Sequence, residues 1–352
     1  MENLIKKSVM ELNAYKVNDD IFEIKLDANE NPYDLFKNYC DIFMKEISKI
    51  NLNRYPDANC KSLRRKLSQY TMIDEDNIIC GNGSDEIIQM ILNVFISKND
   101  NIIIHVPTFP MYKIYADILE AKVIEVSCDD EFKVNIAEII KKANEYNAKV
   151  IFLCNPNNPT GTSIKREEIL KVLHETESIV VVDEAYYEFL GETVIDKIYD
   201  EKRLIVLRTL SKAFSLAGAR IGYAAAAGNI IDALNKIRSP YNVNSFSQIS
   251  AAILLDKVDD VKDSIKKINK EKEYIQKSLK DIPGIKVYKG CANFLLVRFE
   301  NFEETIKLLL EYKISVKSYI KGELKNCIRV TIGSRYENDK FIEAVKRVVN
   351  CE

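Results

Sequence analysis

Leu204-Ile205-Val206-Leu207-Arg208-Thr209-Leu210-Ser211-Lys212-Ala213-Phe214-Ser215-Leu216-Ala217-Gly218-Ala219-Arg220-Ile221-Gly222 opens on an apolar run of β type, places a lysine among hydroxyls just past its end, and enters a second apolar run over 221–225. Runs that are apolar at consecutive rather than alternate positions suit strands buried on both faces. They recur at 77–80, 101–106, 122–126, 149–153 and 179–183, with helical patterns between them at 84–96, 111–119, 135–144 and 165–175. Buried strands joined by helical crossovers predict an α/β domain on a mostly parallel central sheet. Beyond about residue 228 the pattern changes: helices at 229–237, 244–255 and 259–281, strands at 285–287, 293–297, 314–317 and 327–332, and a closing helix at 337–350. This reads as a second, smaller α+β domain. The alternating charges of 259–281 are the solvated face of a long helix.

A chain of 352 residues buries a large core and accommodates two domains. Its net charge of -2 offers no electrostatic footprint for nucleic acid or an anionic membrane. Residues 1–20 lack the apolar core and small-residue cleavage site of a secretory signal. Apolar runs such as Ile179-Val180-Val181-Val182 fall far short of the ~20 residues that span a bilayer. A soluble, cytoplasmic protein is expected. The eight cysteines include no Cys-x-x-Cys pair, and Cys80, Cys154, Cys291 and Cys327 read as reduced core thiols. With His105 and His174 as the only histidines, neither a metal site nor a histidine-dependent triad is expected. The chemistry must then fall to lysine, tyrosine, carboxylates or a cofactor.

Five segments carry that chemistry, each just after a strand, where α/β sheets bind their ligands. A desolvated Lys212 can lose its proton and act as an amine nucleophile, and the hydroxyls of Thr209 and Ser211 with Arg220 suit a phosphate. Lysine plus phosphate pocket suggests pyridoxal phosphate held as a Schiff base. Gly81-Asn82-Gly83-Ser84-Asp85-Glu86 opens a helix whose free N–H groups can take that phosphate, or is a tight turn capped by Ser84. The two acids would repel the phosphate, so their amides rather than their carboxylates are expected to face it. In Pro107-Thr108-Phe109-Pro110-Met111-Tyr112, Phe109 or Tyr112 can stack on a planar ring or simply pack. Asn155-Pro156-Asn157-Asn158-Pro159-Thr160-Gly161 is a rigid turn that aims an asparagine amide. Asp183, ending a buried strand, needs a partner: a protonated pyridine nitrogen, a strand-end cap or a metal. Tyr186 follows, able to donate to a phenolic oxygen.

Asn-Pro-Thr-Gly, Asp-x-Ala-Tyr and Ser-Lys with an arginine eight residues on, in this order, resemble the fold-type I, class II pyridoxal-phosphate-dependent aminotransferases over nearly the whole chain. Within that group the chain resembles the histidinol-phosphate aminotransferase family. The residues are Leu26-Asp27-Ala28-Asn29-Glu30-Asn31-Pro32-Tyr33, Asn53-Arg54-Tyr55-Pro56-Asp57, Tyr241-Asn242-Val243-Asn244-Ser245, Ala292-Asn293-Phe294-Leu295-Leu296-Val297 and Cys327-Ile328-Arg329-Val330-Thr331-Ile332-Gly333. The resemblance implies an N-terminal arm (1–30) that joins the small domain and the dimer contact, a large cofactor domain (31–240) and a small C-terminal domain (241–352). It implies that Lys212 bonds the cofactor aldehyde, Asp183 pairs with the ring nitrogen, and Asn158 and Tyr186 hold the 3′-oxygen. Phe109 would stack on the ring, with Tyr112 as second choice. The phosphate would lie among Ser84, Asp85, Thr209, Ser211 and Arg220, with Tyr55 reaching it from the other chain of a homodimer with shared active sites. Arg329, Asn29 and Lys317 would bind the small-molecule substrate, Lys317 standing where the family usually has an arginine. The implied reaction is transamination between glutamate and imidazole-acetol phosphate in histidine biosynthesis. The alternatives on the same fold are an aromatic or broad-range aminotransferase and threonine-phosphate decarboxylase. A non-catalytic regulator conflicts with the complete residue set, and a dinucleotide oxidoreductase with the absence of Gly-x-Gly-x-x-Gly.

Overall fold

The computed structural model describes residues 4–12 and 22–349. Parts of the expected N-terminal arm, the expected helix end at Asn350, and Cys351 lie outside the described residues. The strands are β1 (Ile24–Leu26), β2 (Ile78–Asn82), β3 (Asn101–Val106), β4 (Lys122–Ser127), β5 (Val150–Cys154), β6 (Ile179–Asp183), β7 (Leu204–Thr209), β8 (Ile221–Ala226), β9 (Ile285–Val287), β10 (Phe294–Phe299), β11 (Ile314–Tyr319) and β12 (Cys327–Thr331).

Seven of them form one sheet in the order β2-β8-β7-β6-β5-β3-β4. The ladders from β4 to β7 are all parallel, whereas β8 runs antiparallel to both of its neighbours. Consecutive apolar residues divide between the two faces. Val180, Val182, Leu204 and Val206 pack into one apolar cluster, and Val181, Ile205 and Leu207 into another on the opposite side. Each such side chain, fully buried, contributes about 1.5–3 kcal/mol by its removal from water. Helices Gly83–Phe95, Met111–Ile118, Ile136–Glu145 and Arg166–Glu175 supply the cover, within a residue or two of their expected limits.

The remaining five strands form a mixed sheet in the order β1-β11-β12-β10-β9. β1, which local pattern did not predict, joins it by pairing parallel to β11. Helices Cys40–Ile47, Lys61–Thr71 and Phe302–Glu311 were likewise not predicted. The charged helix spans Val258–Leu279 and buries one stripe, Val261, Ser264, Ile268, Ile275 and Leu279. Cys80, Cys154 and Cys327 are buried free thiols as expected. Cys291 is only half-buried because it lies in the loop before β10, and Cys60, not singled out in the sequence, is buried.

Candidate active site

The carboxyl ends of β6 and β7 open into a cavity of about 510 Å³ whose opposite wall comes from β11 and β12. Every candidate residue except Tyr55 and Tyr112 lines it.

Lys212 lies in the turn after β7, half-buried, and its Nζ donates to the carbonyl of Ala28 at 2.8 Å. Burial, reinforced by the positive charge of Arg329, pulls the ammonium down to about 8. At pH 7 this leaves roughly a tenth of the amine neutral, against a few in ten thousand for an ordinary lysine. In the cofactor-free protein, capture of the cofactor aldehyde should therefore accelerate about tenfold per unit of pH from about pH 6 and level off near pH 8. Stopped-flow absorbance checks this; a rate that keeps climbing toward pH 10 would contradict a depressed Lys212.

Asp183 is held on both oxygens: Oδ2 accepts from the Tyr112 hydroxyl at 2.6 Å and Oδ1 from the Ala185 amide at 3.1 Å. Burial nevertheless raises its carboxyl to about 6. A cation brought against it would restore the charged form. Tyr112 is accordingly no candidate for stacking on a ligand. It is fully buried, one face lies on Phe152 with centroids 4.6 Å apart, and its hydroxyl is committed to Asp183. Phe109 lines the cavity.

The anion cradle is built from β7, β8 and the start of helix Gly83–Phe95. Thr209 Oγ1 donates to Ser211 Oγ at 2.9 Å and accepts from the Ser211 amide at 3.1 Å, which fixes the turn. A Cβ on Gly222 would lie 2.3 Å from the Ser84 nitrogen, so only glycine lets β8 pass this close beneath the helix N-terminus. Gly83, at φ +76°, would bring a Cβ to 2.6 Å from Arg220 Nη2. Asp85 lines the cavity, and its carboxylate pairs with Arg220 Nη2 at 3.1 Å. Glu86 turns away, accepting from the Asn82 amide at 2.6 Å and from Asn242 Nδ2 at 2.8 Å.

On the far wall Arg329 is 8% exposed. It donates from Nη1 to Asn158 Oδ1 at 2.6 Å and from Nη2 to the Asp27 carbonyl, and its Nε is buried without a partner. Lys317 is its cross-strand partner. Asn29 is buried and reaches the cavity mainly as a brace: Nδ2 donates to the Tyr186 hydroxyl at 2.8 Å, and its amide donates to Thr331 at 2.9 Å. Tyr55 is 79% exposed and stacks on Tyr241 at 4.4 Å, outside the cavity of its own chain. Sequence reasoning missed the Ala28 carbonyl, the Tyr112–Asp183 bond, and Asp27, Ser315 and Ser318 in the wall. The segments holding Asp27 and Ala28 and holding Tyr112 were singled out in the sequence, but not for these contacts.

The residues fit pyridoxal phosphate: an acid raised by burial, a depressed lysine, and a cradle of Ser84, Ser211 and Arg220 at a helix N-terminus share one cavity. Residues 23–345 match the aminotransferase class I and II family. The chain is 41% identical over 350 residues to a histidinol-phosphate aminotransferase of Thermoanaerobacter sp. (strain X514), with 99% of each chain covered. It superposes on the crystal structure of the histidinol-phosphate aminotransferase from Clostridium acetobutylicum with a TM-score of 0.85 at 28% identity, covering 94% of this chain and 100% of that one. A histidinol-phosphate aminotransferase from Sinorhizobium meliloti, solved with pyridoxal-5'-phosphate, shares the fold at a TM-score of 0.91 and 20% identity, covering 99% and 98%. The chain belongs to the class I and II aminotransferases and, within them, to the histidinol-phosphate aminotransferase family.

Proposed function

We propose that this chain is a pyridoxal-phosphate-dependent enzyme that transfers an amino group between glutamate and imidazole-acetol phosphate, giving 2-oxoglutarate and histidinol phosphate. The observation that carries this reading is the convergence of the depressed Lys212, the raised Asp183 and the Lys317–Arg329 pair on one cavity. Bound pyridoxal phosphate supplies an electron sink for the substrate's α-carbon.

Lys212 would bond the cofactor aldehyde and, as a free neutral amine, would serve as the base that takes the substrate's α-proton and returns it. Asp183, held in place by Tyr112 and the Ala185 amide, keeps the ring nitrogen protonated. Tyr186, oriented by Asn29, and Asn158, oriented by Arg329, hold the 3′-oxygen. The Ser84 and Asp85 amides, Thr209, Ser211 and Arg220 hold the cofactor phosphate, and Phe109 covers the ring. Arg329 and Lys317 anchor the anionic end of each substrate in turn.

The functional unit is a homodimer in the cytoplasm, with Tyr55 completing the phosphate site of its partner. The exposure of Tyr55, and a helix Cys40–Ile47 that buries none of its residues while exposing Ile42 and Met44, support it. The arm 1–30, the large domain 31–240 and the small domain 241–352 are its parts, and the pairing of β1 with β11 supports the arm's place in the small one. The test is a panel of amino donors with the purified, cofactor-loaded protein. Histidinol phosphate should react with the highest kcat/KM, ahead of phenylalanine, and threonine phosphate should lose no carbon dioxide. Preference for phenylalanine, or decarboxylation of threonine phosphate, would overturn the reading.

A further inference from the structure

In the β1–β11 ladder Leu26 pairs with Val316, so Asp27 falls level with Lys317, whose partner on β12 is Arg329. One acid, just past the end of β1, and two bases, on the adjacent strands β11 and β12, thus form a row, and all three line the cavity. Asp27 Oδ1 is buried and accepts no hydrogen bond. Arg329, although adjacent, donates to the backbone carbonyl of Asp27. A buried acceptor left unmade is costly, and such groups persist in binding sites where a ligand brings the donor.

We propose that Asp27 is a specificity-determining residue that accepts a hydrogen bond from a ring N–H of the phosphate-bearing substrate; this rests on the function proposed above. The two substrates differ at their far ends. The imidazole of histidinol phosphate carries at least one N–H whether neutral or protonated. Glutamate ends in a carboxylate, which has only acceptors and is repelled by Asp27. A phenyl side chain offers only C–H groups and leaves Oδ1 unmade. A site built to bond an N–H rejects an analogue lacking it more strongly than an apolar pocket rejects a change of size. The row therefore sorts charge along its length: the anionic group of either substrate goes to Lys317 and Arg329, and the ring donor of one substrate alone goes to Asp27.

The test uses cofactor-loaded wild-type, Asp27→Ala and Asp27→Asn proteins. Each half-reaction is followed separately by single-turnover absorbance with histidinol phosphate, glutamate and phenylalanine. Asp27→Ala should lower the ratio of kcat/KM for histidinol phosphate to that for glutamate by roughly ten- to a hundredfold. Asp27→Asn, which keeps a neutral acceptor in the same shape, should fall between. The preference for histidinol phosphate over phenylalanine should shrink in the same order. A merely structural role would depress all three substrates together, and that result, or an unmoved ratio, overturns the inference while leaving the proposed function standing. A wild-type protein inert toward histidinol phosphate overturns both.

Discussion

Lys212→Ala should fold, bind cofactor without a covalent bond, and turn over at least ~10⁴-fold more slowly than wild type, because the substitution removes both the nucleophile and the proton carrier. The side chain is half-buried and bonded to one carbonyl, Ala28, so the fold loses little. The cradle formed by Ser211, Arg220 and the start of helix Gly83–Phe95 is untouched. Borohydride reduction followed by peptide mass measurement should find the cofactor attached in the wild type at Lys212 and nowhere in the variant. Among the described residues Lys317 also lines the cavity, and it is the internal control. It sits on β11 opposite Arg329, on the substrate wall, so its replacement should raise KM without abolishing the adduct. An adduct at Lys317, or turnover in Lys212→Ala within tenfold of wild type, would discard the assignment.

Much of this was legible in the chain because burial and chemistry leave local marks. The run ending at Asp183 was read to its true limits: four β-branched residues closed by an acid suit nothing so well as a buried strand that presents a carboxylate. Direction was not legible. Ile221–Ala226 is apolar throughout, and such a run is equally at home parallel or antiparallel, so the reversal at β8 is decided by the short return from β7 through the Lys212 turn. β1 is three residues long, and its pairing with β11 is a tertiary event that no local pattern foretells. Within the site, residue type announced Lys212, Asp183 and Arg329, while partnership stayed hidden. An aromatic after Pro107 and Pro110 predicts a ring near the cavity, yet only the packing on Phe152 turns the Tyr112 hydroxyl onto Asp183. The Asp85–Arg220 pair stayed hidden for a similar reason: repulsion from a phosphate was weighed, but attraction to Arg220 was not.

Arg208→Met should cost about 3–5 kcal/mol of stability and weaken cofactor binding, although Arg208 does not line the cavity. The guanidinium pairs with Glu184 at 2.8 Å, the two side chains being 2% and 0% exposed. It also donates to Thr193 at 2.7 Å and lies 3.7 Å over the Tyr187 ring. Glu184 in turn accepts from the Thr193 hydroxyl and from the Val194 amide at 3.0 Å. Removing the arginine leaves a carboxylate in the protein interior with part of its compensation gone, beside Glu188, which burial already pushes up to about 7. The functional consequence follows from chain position. Glu184 is the residue after Asp183, Arg208 is the residue before Thr209, and the Glu184 amide donates to the Leu207 carbonyl at 2.7 Å. The ion pair therefore ties together the two strand ends that present the ring-nitrogen acid and the lysine turn, from the side of the sheet away from the ligand. Thermal melting with and without cofactor checks both effects. Arg208→Met combined with Glu184→Gln should recover a good part of the lost stability, since the stranded charge is then removed. Cofactor affinity should stay low, because the tie between β6 and β7 remains broken. A double variant that melts no higher than Arg208→Met, or single variants that bind cofactor as tightly as wild type, would show that this pair neither strands a charge nor positions the site.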